Sequence, residues 1–175
     1  MNTSNLVIES SNLLIKAISL DYAEDIFKEF TPEITVYMSP KPADKIEETI
    51  AFIESSMKSN QAGTDFQAVI ISKETKEFIG CAGLHHIDTL RPEFGVWLKK
   101  SAHGHGYGKE AILAMKAWAD QNLTYEYLVY PVDKANIASC RIPESMGGKV
   151  YSEHTGKNAA GEVLNIVEYR VYKTV

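Results

Sequence analysis

The most informative part of the sequence is LKKSAHGHGYGKEA, which runs from Leu98 to Ala111. Its centre holds three glycines within five residues, Gly104, Gly106 and Gly108. Because glycine has no Cβ atom, such a loop can turn sharply and bring its backbone N–H groups close to a ligand. An amphipathic helix follows, and its first turn adds further unpaired N–H groups. The stretch therefore predicts a cradle for phosphate oxygens where a strand leads into a helix.

The two best-known phosphate-binding motifs do not fit this loop. A P-loop has GxxxxGK followed by Ser or Thr, but Glu110 follows Gly108 and Lys109, so a magnesium ion would lack its hydroxyl ligand. A Rossmann loop has GxGxxG inside a parallel β-α-β unit, whereas the spacing here is GxGxG and a three-stranded meander is predicted before it. A plain helix-capping turn is a further interpretation, but a cap needs one glycine rather than three.

The sequence on both sides of the loop predicts one mixed α/β (α+β) domain over residues 1–175, with about seven strands flanked by about four helices. Three β-rich runs with short polar connections, at 66–71, 78–84 and 93–98, predict an antiparallel meander. The other predicted elements are a strand at 13–15, a helix ended by Thr31-Pro32, a helix between Pro42 and Asn60, the helix after the glycine loop, a strand at 127–132, a short helix at 135–146, and strands near Val150 and at 163–172.

Length and composition exclude several classes of protein. The 175 residues suit a single domain, and 45% hydrophobic residues are enough for a core. A net charge of −5 disfavours a nucleic-acid partner. Cys81 and Cys140 cannot form a disulfide framework, and the pair His103-x-His105 has no third metal ligand nearby in sequence. Without a leader-like start or an apolar run of roughly 18 residues, we expect a cytoplasmic protein with no metal and no membrane partner.

The loop from His103 to Gly108 resembles the cofactor loop of the GNAT superfamily of acetyl-CoA-dependent N-acetyltransferases. The pattern in that family is Arg/Gln-x-x-Gly-x-Gly or Ala, and His103 stands where Arg or Gln is usual. Three further segments resemble the branch of ribosomal-protein N-terminal acetyltransferases: Phe78-Ile79-Gly80, Glu93-Phe94-Gly95-Val96-Trp97-Leu98, and Asn136-Ile137-Ala138-Ser139 running to Met146-Gly147. The resemblance extends from Leu13 to Tyr172 and implies the acyl-CoA N-acyltransferase fold.

The resemblance implies that acetyl-CoA is the cosubstrate and that no metal is needed. Pantetheine would lie along the strand before the loop, where this strand splays from its neighbour, because its two amides can pair with an exposed strand edge. Its backbone contacts would fall on Trp97, Leu98 and Lys99, and Asn136 would hydrogen-bond it. The pyrophosphate would lie over His103, Gly104, His105, Gly106, Tyr107, Gly108 and Lys109.

The resemblance also implies that an amine attacks the thioester directly, with Glu93 as the general base. Many family members place a Tyr proton donor where this sequence has Pro143, so Ser139 is predicted to bind the cofactor sulfur or donate the proton. Tyr130 is a reserve donor. Glu93 could instead be a solvated carboxylate at a strand end, and Asn136 and Ser139 could merely cap a helix.

The acceptor is predicted to be a primary amine, on a protein N-terminus or a small molecule. In related proteins the first two helices and their connection cover the acceptor site, so residues 33–38 are interpreted as a lid, and His85 or His86 could line the pocket. Carboxylates in this region could attract an amine: Glu24, Asp25, Glu29, Glu33, Asp44, Glu47 and Glu48. A non-catalytic acyl-CoA-binding module and a nucleotide-binding protein remain alternatives, and a homodimer is left open.

Overall fold

The fold is built on one sheet of eight strands, and the structure, a computed structural model, describes residues 1–175. Five α-helices cover the sheet, so the mixed α+β fold predicted from the sequence is confirmed, with one strand and one helix more than predicted. The elements are β1 (Val7–Glu9), β2 (Leu13–Ala17), α1 (Ala23–Glu29), α2 (Pro32–Thr35), α3 (Ile46–Ala62), β3 (Asp65–Ser72), β4 (Phe78–His85), β5 (Glu93–Leu98), α4 (Tyr107–Asn122), β6 (Leu128–Asp133), α5 (Ile137–Ser145), β7 (Lys149–Lys157) and β8 (Val163–Val171).

The strand order is β1-β2-β3-β4-β5-β6-β8-β7, and every neighbouring pair is antiparallel except β5 and β6. The predicted meander is therefore present as β3-β4-β5. The parallel pair β5 and β6 has a single register pair, Glu93 with Val129. Beyond it the two strands are no longer paired, and a gap opens in the middle of the sheet.

A proline contributes to this gap. The amide of Val129 donates to the carbonyl of Pro92 at 2.8 Å, so the backbone of Val129 faces β5. Backbone groups alternate between the two sides of a strand, and Pro131 therefore also faces β5. Because proline has no N–H, β6 cannot continue the ladder toward β5 at this residue.

The sheet separates two apolar layers. Helices α4 and α5 pack on one face, where Ile112 and Met115 are fully buried against strand residues such as Leu13 and Phe66. Helices α1 and α3 pack on the other face, where Ile53 is fully buried. None of the helices combines the length and the apolar character that a membrane crossing requires.

The two elements absent from the prediction are both very short. Strand β1 has three residues and helix α2 has four, too few for a hydrophobic period to show in the sequence. Thr31-Pro32 does mark the end of α1, as predicted, but Pro32 also begins α2. Proline is well suited to a first helical position, because the N–H it lacks would have no partner there.

Candidate active site

Gly80 of β4 fixes the position of the end of β5. It pairs with Leu98, and a Cβ atom at this position would overlap the carbonyl oxygen of Trp97 and lie 2.8 Å from the Cα atom of Leu98. The amide of Lys99 then donates to the carbonyl of Ile79 at 2.9 Å. The absence of a side chain at Gly80 thus lets β5 stay close to β4 while it leaves β6.

The backbone groups of β5 that face the gap belong to alternate residues. Lys99 and, by alternation, Trp97 direct their backbone groups toward β4, whereas Val96 and Leu98 direct theirs toward the gap. Of the three residues predicted to contact pantetheine through their backbone, Leu98 therefore has the matching orientation. The amide of Lys99 is engaged within the sheet.

Two of the three loop glycines are required by the backbone. Gly104 and Gly106 have φ angles of +81° and +75°, a left-handed conformation that other residues rarely adopt, and a Cβ atom at either would meet nothing within 4 Å. A Cβ atom at Gly108 would make ordinary contacts of 3.7 Å with side chains of Leu98 and Ile142. The loop therefore borders open space at Gly104 and Gly106.

The backbone amides from Gly104 to Lys109 have no hydrogen-bond acceptor within the protein, since the first helical bond of α4 runs from the amide of Glu110 to the carbonyl of Gly106. Helix α4 has 16 residues, and its dipole places partial positive charge at this end. The arrangement leaves a row of unpaired N–H donors at the positive end of a helix, where anions bind well.

His103 fastens the loop to the end of β5. Its Nε2 atom lies 3.0 Å from the carbonyl oxygen of Leu98, and because a carbonyl only accepts, Nε2 carries the hydrogen and donates. His105 instead stacks on Tyr107, with ring centroids 5.4 Å apart. One histidine of the pair is thus held by the strand and the other by the first residue of α4.

The gap, the glycine loop and the start of α5 enclose a cavity of about 360 Å³, here called the β5–β6 cleft. It brings together most of the predicted cofactor-binding residues, while Lys99, His105, Glu93 and Tyr130 lie outside its lining. The lining consists of Ile34, Met38, Val96, Trp97, Leu98, His103, Gly104, Gly106, Tyr107, Gly108, Lys109, Asn136, Ala138, Ser139 and Ile142.

Two hydroxyl groups meet at the inner end of this cleft. The Oγ atom of Ser139 lies 2.8 Å from the phenol oxygen of Tyr130, and Asn136 caps α5 by accepting from the Ser139 amide at 3.3 Å. Tyr130 is only 2% exposed, and burial raises its pKa to about 12. Tyr130 is therefore protonated at neutral pH and hydrogen-bonded to Ser139, which lines the cleft.

Pro143 lies inside α5 and is buried. It offers no proton and no N–H, but its carbonyl accepts from the amides of Met146 and Gly148, which closes the end of the helix. Tyr130, which comes from β6, places its phenol at Ser139 in the first turn of α5, whereas the phenol of Tyr169 donates to Glu144 near the end of that helix.

A second cavity, of about 400 Å³, lies on the other face of the sheet and is here called the α1–α3 cavity. It shares Met38, Val96 and Trp97 with the β5–β6 cleft, so β5 and residue 38 form a common wall. Its lining consists of Ile26, Phe30, Met38, Pro40, Lys41, Pro42, Ala43, Glu48, Thr49, Phe52, Gln67, Cys81, Ala82, Gly83, His85, Gly95, Val96 and Trp97.

His85 lines the α1–α3 cavity, whereas His86 does not. The Nδ1 atom of His85 lies 3.6 Å from a carboxylate oxygen of Asp65, and the same oxygen accepts the amide of His86 at 2.9 Å. His86 has already left β4, with a φ of +57°. No group of three or more His, Cys, Asp or Glu side chains is arranged to hold a metal ion.

Glu93 pairs with His85 across β4 and β5 but lines neither cavity. Its side chain is partly buried, and burial raises its pKa, while the nearby His85 and His86 partly oppose that shift. Glu93 is thus the cross-strand neighbour of His85, and of the two only His85 lines the α1–α3 cavity.

Of the seven carboxylates that the sequence offered for the acceptor site, only Glu48 lines the α1–α3 cavity. Its carboxylate accepts the amides of Asp44 and Lys45 at 2.6 and 3.2 Å, and these bonds lower its pKa. Sequence reasoning did not identify Phe30, Phe52 or Gln67, since nothing local in the sequence separates them from ordinary packing residues.

Comparison with known proteins assigns the family. A family model described as the acetyltransferase (GNAT) domain matches residues 12–149. The uncharacterized N-acetyltransferase p20 of Bacillus licheniformis is 25% identical over 140 residues, which cover 78% of this chain and 79% of that protein. Since the family match spans well over half of the sequence, the chain belongs to the acetyltransferase (GNAT) family, and the predicted class of enzyme is confirmed.

Solved structures share the fold at low sequence identity. RimL, the ribosomal L7/L12 alpha-N-protein acetyltransferase, in complex with coenzyme A, has a TM-score of 0.83 at 16% identity, covering 95% of this chain and 98% of that chain. MccE, the microcin C7 self immunity acetyltransferase, in complex with acetyl-CoA and AMP, has a TM-score of 0.82 at 19% identity, covering 93% of each chain. The predicted family fold is thereby confirmed.

Proposed function

We propose that this acetyltransferase moves the acetyl group of acetyl-CoA directly to a primary amine, on a protein N-terminus or a small molecule. One observation carries the proposal: the gap between β5 and β6 opens onto the unpaired amides of the glycine loop, and the α1–α3 cavity borders the other side of β5. Because Met38, Val96 and Trp97 line both cavities, a thioester in one and an amine in the other would meet at β5.

The residues of the β5–β6 cleft fit acetyl-CoA, which supplies an activated acetyl thioester. The unpaired amides from Gly104 to Lys109 suit the pyrophosphate. The gap-facing backbone of Val96 and the amide of Leu98 suit the two amides of pantetheine, while the Leu98 carbonyl already accepts from His103. Asn136 and Ser139 lie at the inner end. The walls of the cleft are completed by Trp97, Tyr107 and the His103 ring. Lys99 and His105 lie just outside the lining.

The hydroxyl pair suits the leaving group. In the reaction a C–N bond forms and the C–S bond breaks, so the amine nitrogen loses one proton and the thiolate gains one. Ser139 donates that proton to the thiolate and takes one from Tyr130, whose phenol is 2.8 Å away and protonated at neutral pH. Tyr130 regains its proton from solvent as the products leave, so the hydroxyl pair ends each turnover in its starting state. Ser139 and Tyr130 thus take the proton-donor role of the Tyr that many family members carry at the position of Pro143.

Glu93 is proposed as the group that finally holds the amine proton. Its carboxylate is partly buried, which raises its pKa and makes it a stronger base than an exposed glutamate. It does not reach either cavity directly, so the proton passes through His85 or a bridging water.

A ligand panel followed by a thiol-release assay tests the proposal. Acetyl-CoA, but not ATP or NAD, is expected to raise the melting temperature, and free coenzyme A is expected only when an amine is added. Gly106→Ala, which strains a backbone with φ +75°, should weaken acetyl-CoA binding, whereas Gly156→Ala, where a Cβ meets nothing within 4 Å, should not. Stabilisation by ATP or NAD with no response to acetyl-CoA would contradict the proposal.

A non-catalytic acyl-CoA-binding module is the second candidate, and Pro143 favours it by removing the usual proton donor. It predicts binding of acetyl-CoA with no release of coenzyme A from any amine. The Tyr130 to Ser139 contact favours the enzyme instead, because it supplies a donor from another element.

A further inference from the structure

The walls of the α1–α3 cavity are apolar and aromatic on the side of the helices. The ring of Phe30 packs on Trp97 with centroids 4.8 Å apart, and Met38 and Pro42 extend the same wall. Phe52 lines the cavity while it is 48% exposed, so part of its ring is not buried by the protein itself. A volume of about 400 Å³ is in the range of small-molecule sites and suits one ring or one branched side chain.

The charged side chains of the lining offer few ionic partners to a substrate with several ammonium groups. Glu48 uses one carboxylate oxygen for the amides of Asp44 and Lys45, and Lys41 lies 3.8 Å from the carboxylate of Asp44. His85 has Asp65 beside its Nδ1 atom. A substrate with several ammonium groups would therefore find only the second oxygen of Glu48 as an ionic partner and would bury its other charges against aromatic walls, which is unfavourable.

Gly95 opens the floor of the cavity at one point. Gln67, Gly83 and Gly95 are register partners across β3, β4 and β5, and the next such row is Asp65, His85 and Glu93. The side chains of His85 and Gln67 reach over Gly83, whereas a Cβ atom at Gly95 would meet only Nε2 of His85, at 3.7 Å. The space over Gly95, between Trp97 and His85, is therefore accessible from the cavity.

Two polar atoms converge over this point. A Cβ atom at Gly83 would lie 2.7 Å from Nε2 of His85 and 2.9 Å from Oε1 of Gln67, and one at Gly95 would lie 3.7 Å from the same Nε2 atom. Gln67 Oε1 accepts hydrogen bonds, and His85 Nε2 accepts when the proton is on Nδ1, the tautomer that Asp65 favours. A primary amine, with its N–H donors, complements both atoms.

We infer that the α1–α3 cavity selects a primary amine attached to one aromatic or branched aliphatic group. The amine nitrogen binds between Gln67 Oε1 and His85 Nε2, one residue from the shared wall at Val96, and the apolar group lies against Phe30, Phe52 and Trp97. This inference rests on the proposed function and names its acceptor class.

Matched amines test the inference in the thiol-release assay at saturating acetyl-CoA. Phenylalaninamide and leucinamide are compared with serinamide, which has the same amide and α-amine, and with spermidine as the polycation. The apolar amides are expected to have a kcat/KM at least about tenfold above those of serinamide and spermidine, the scale on which hydrophobic pockets discriminate.

Variants locate the selectivity in this cavity. Phe52→Ala is expected to lower kcat/KM for phenylalaninamide about tenfold and to change serinamide little, because only the apolar group loses its wall. The control is Phe27→Ala, since Phe27 lies on the neighbouring helix α1, is 37% exposed and does not line the cavity. Gly83→Ala should raise KM for every amine, because its Cβ occupies the point between Gln67 and His85, while the Kd of acetyl-CoA stays the same.

The outcomes separate this inference from the function on which it rests. If kcat/KM for serinamide or spermidine equals or exceeds that for phenylalaninamide, the inference is overturned and the proposed function stands. Equal effects of Phe52→Ala on all amines would also overturn it. Binding of acetyl-CoA with no turnover of any amine would overturn the proposed function, and the inference with it. Melting curves of each variant show that a lost activity is not a lost fold.

Discussion

The β5–β6 cleft owes its shape chiefly to backbone conformation, whereas the α1–α3 cavity owes its shape to side chains. The first depends on the φ angles of Gly104 and Gly106 and on the missing ladder between β5 and β6. The second depends on which side chains stand at Phe30, Phe52 and Gln67. Substitutions in the second region can thus change the acceptor while the first keeps the same cosubstrate.

The two regions are nevertheless joined by a single strand. Both cavities use Val96 and Trp97 of β5, and Gly80 holds the end of that strand against β4. A change in the position of β5 should therefore alter both cavities, and a change on either side of it should alter one. The substitutions below test which changes affect both cavities and which affect only one, and the strongest comes first.

Gly80→Ala is expected to have the largest effect. Its Cβ would overlap the carbonyl oxygen of Trp97, which is backbone and cannot move aside, so β5 must shift. We expect a loss of about 3 kcal/mol in the free energy of unfolding, the upper part of the range for overpacking, together with weaker binding of both acetyl-CoA and the amine. Urea unfolding and the two binding constants measure this.

The control for Gly80→Ala is Gly156→Ala in β7, where the added Cβ has open space. Unchanged stability and unchanged binding in Gly80→Ala would show that β5 does not form the common wall.

Ser139→Ala should damage the cleft alone. Removing the hydroxyl that is proposed to protonate the leaving thiolate is expected to lower kcat about 100-fold, the scale of general acid catalysis, with little change in the Kd of acetyl-CoA or the KM of the amine. Tyr130→Phe should have a smaller effect in the same direction, because it removes only the donor that resupplies Ser139 at 2.8 Å. Pre-steady-state and steady-state rates of thiol release measure both variants.

We expect the double variant Ser139→Ala, Tyr130→Phe to lose the same factor in kcat as Ser139→Ala alone, because the two hydroxyls act as one unit. If the kcat of the double variant instead falls by the product of the two single losses, a relay between the hydroxyls is contradicted.

The parts of the site that lie close together in the sequence were predictable. The glycine loop is contiguous from His103 to Gly108, and Asn136 and Ser139 share one turn at the start of α5. Backbone conformation in such segments is set by local residue types, so the sequence indicates it directly. The meander β3-β4-β5 was predictable for the same reason, through its alternating pattern and short turns.

The α1–α3 cavity was not predictable, because its residues meet only through tertiary packing. Phe30, Gln67 and His85 come from three separate segments, and the strand register alone brings Gln67 beside Gly83. The sequence predicted seven carboxylates near the acceptor site, but only Glu48 lines the α1–α3 cavity. The sequence could not separate them, because the packing of a helix decides whether its residues face solvent or a cavity. The three-residue β1 and four-residue α2 gave no periodic signal.

Glu93→Gln should change the pH dependence of both stability and rate. Burial raises the pKa of Glu93, so its carboxyl group favours the folded state most when protonated, and that contribution is lost as the pH rises through the raised pKa. Relative to the wild type, Glu93→Gln should therefore gain stability from pH 4 upward. The acidic limb of the kcat/KM profile should disappear in the variant, with a fall in kcat of about tenfold.

A second variant keeps the test of Glu93 specific. Glu126→Gln removes an exposed carboxylate that pairs with Arg91, away from both cavities, and should leave the rate profile unchanged. A normal rate profile in Glu93→Gln would mean that Glu93 is only a strand-end carboxylate.

His103→Gln should give the smallest effect, and only in the cleft. The His103 Nε2–H donates to the Leu98 carbonyl at 3.0 Å and fastens the glycine loop to the end of β5. A flexible glutamine amide can make the same bond but holds the loop less rigidly than the imidazole ring does, so the Kd of acetyl-CoA is expected to rise about threefold while the KM of the amine stays the same. Calorimetric titrations measure the Kd. His105→Gln is the comparison, because His105 stacks on Tyr107 and does not line the cleft. Equal losses of affinity in the two variants would contradict a specific role for the His103 bond.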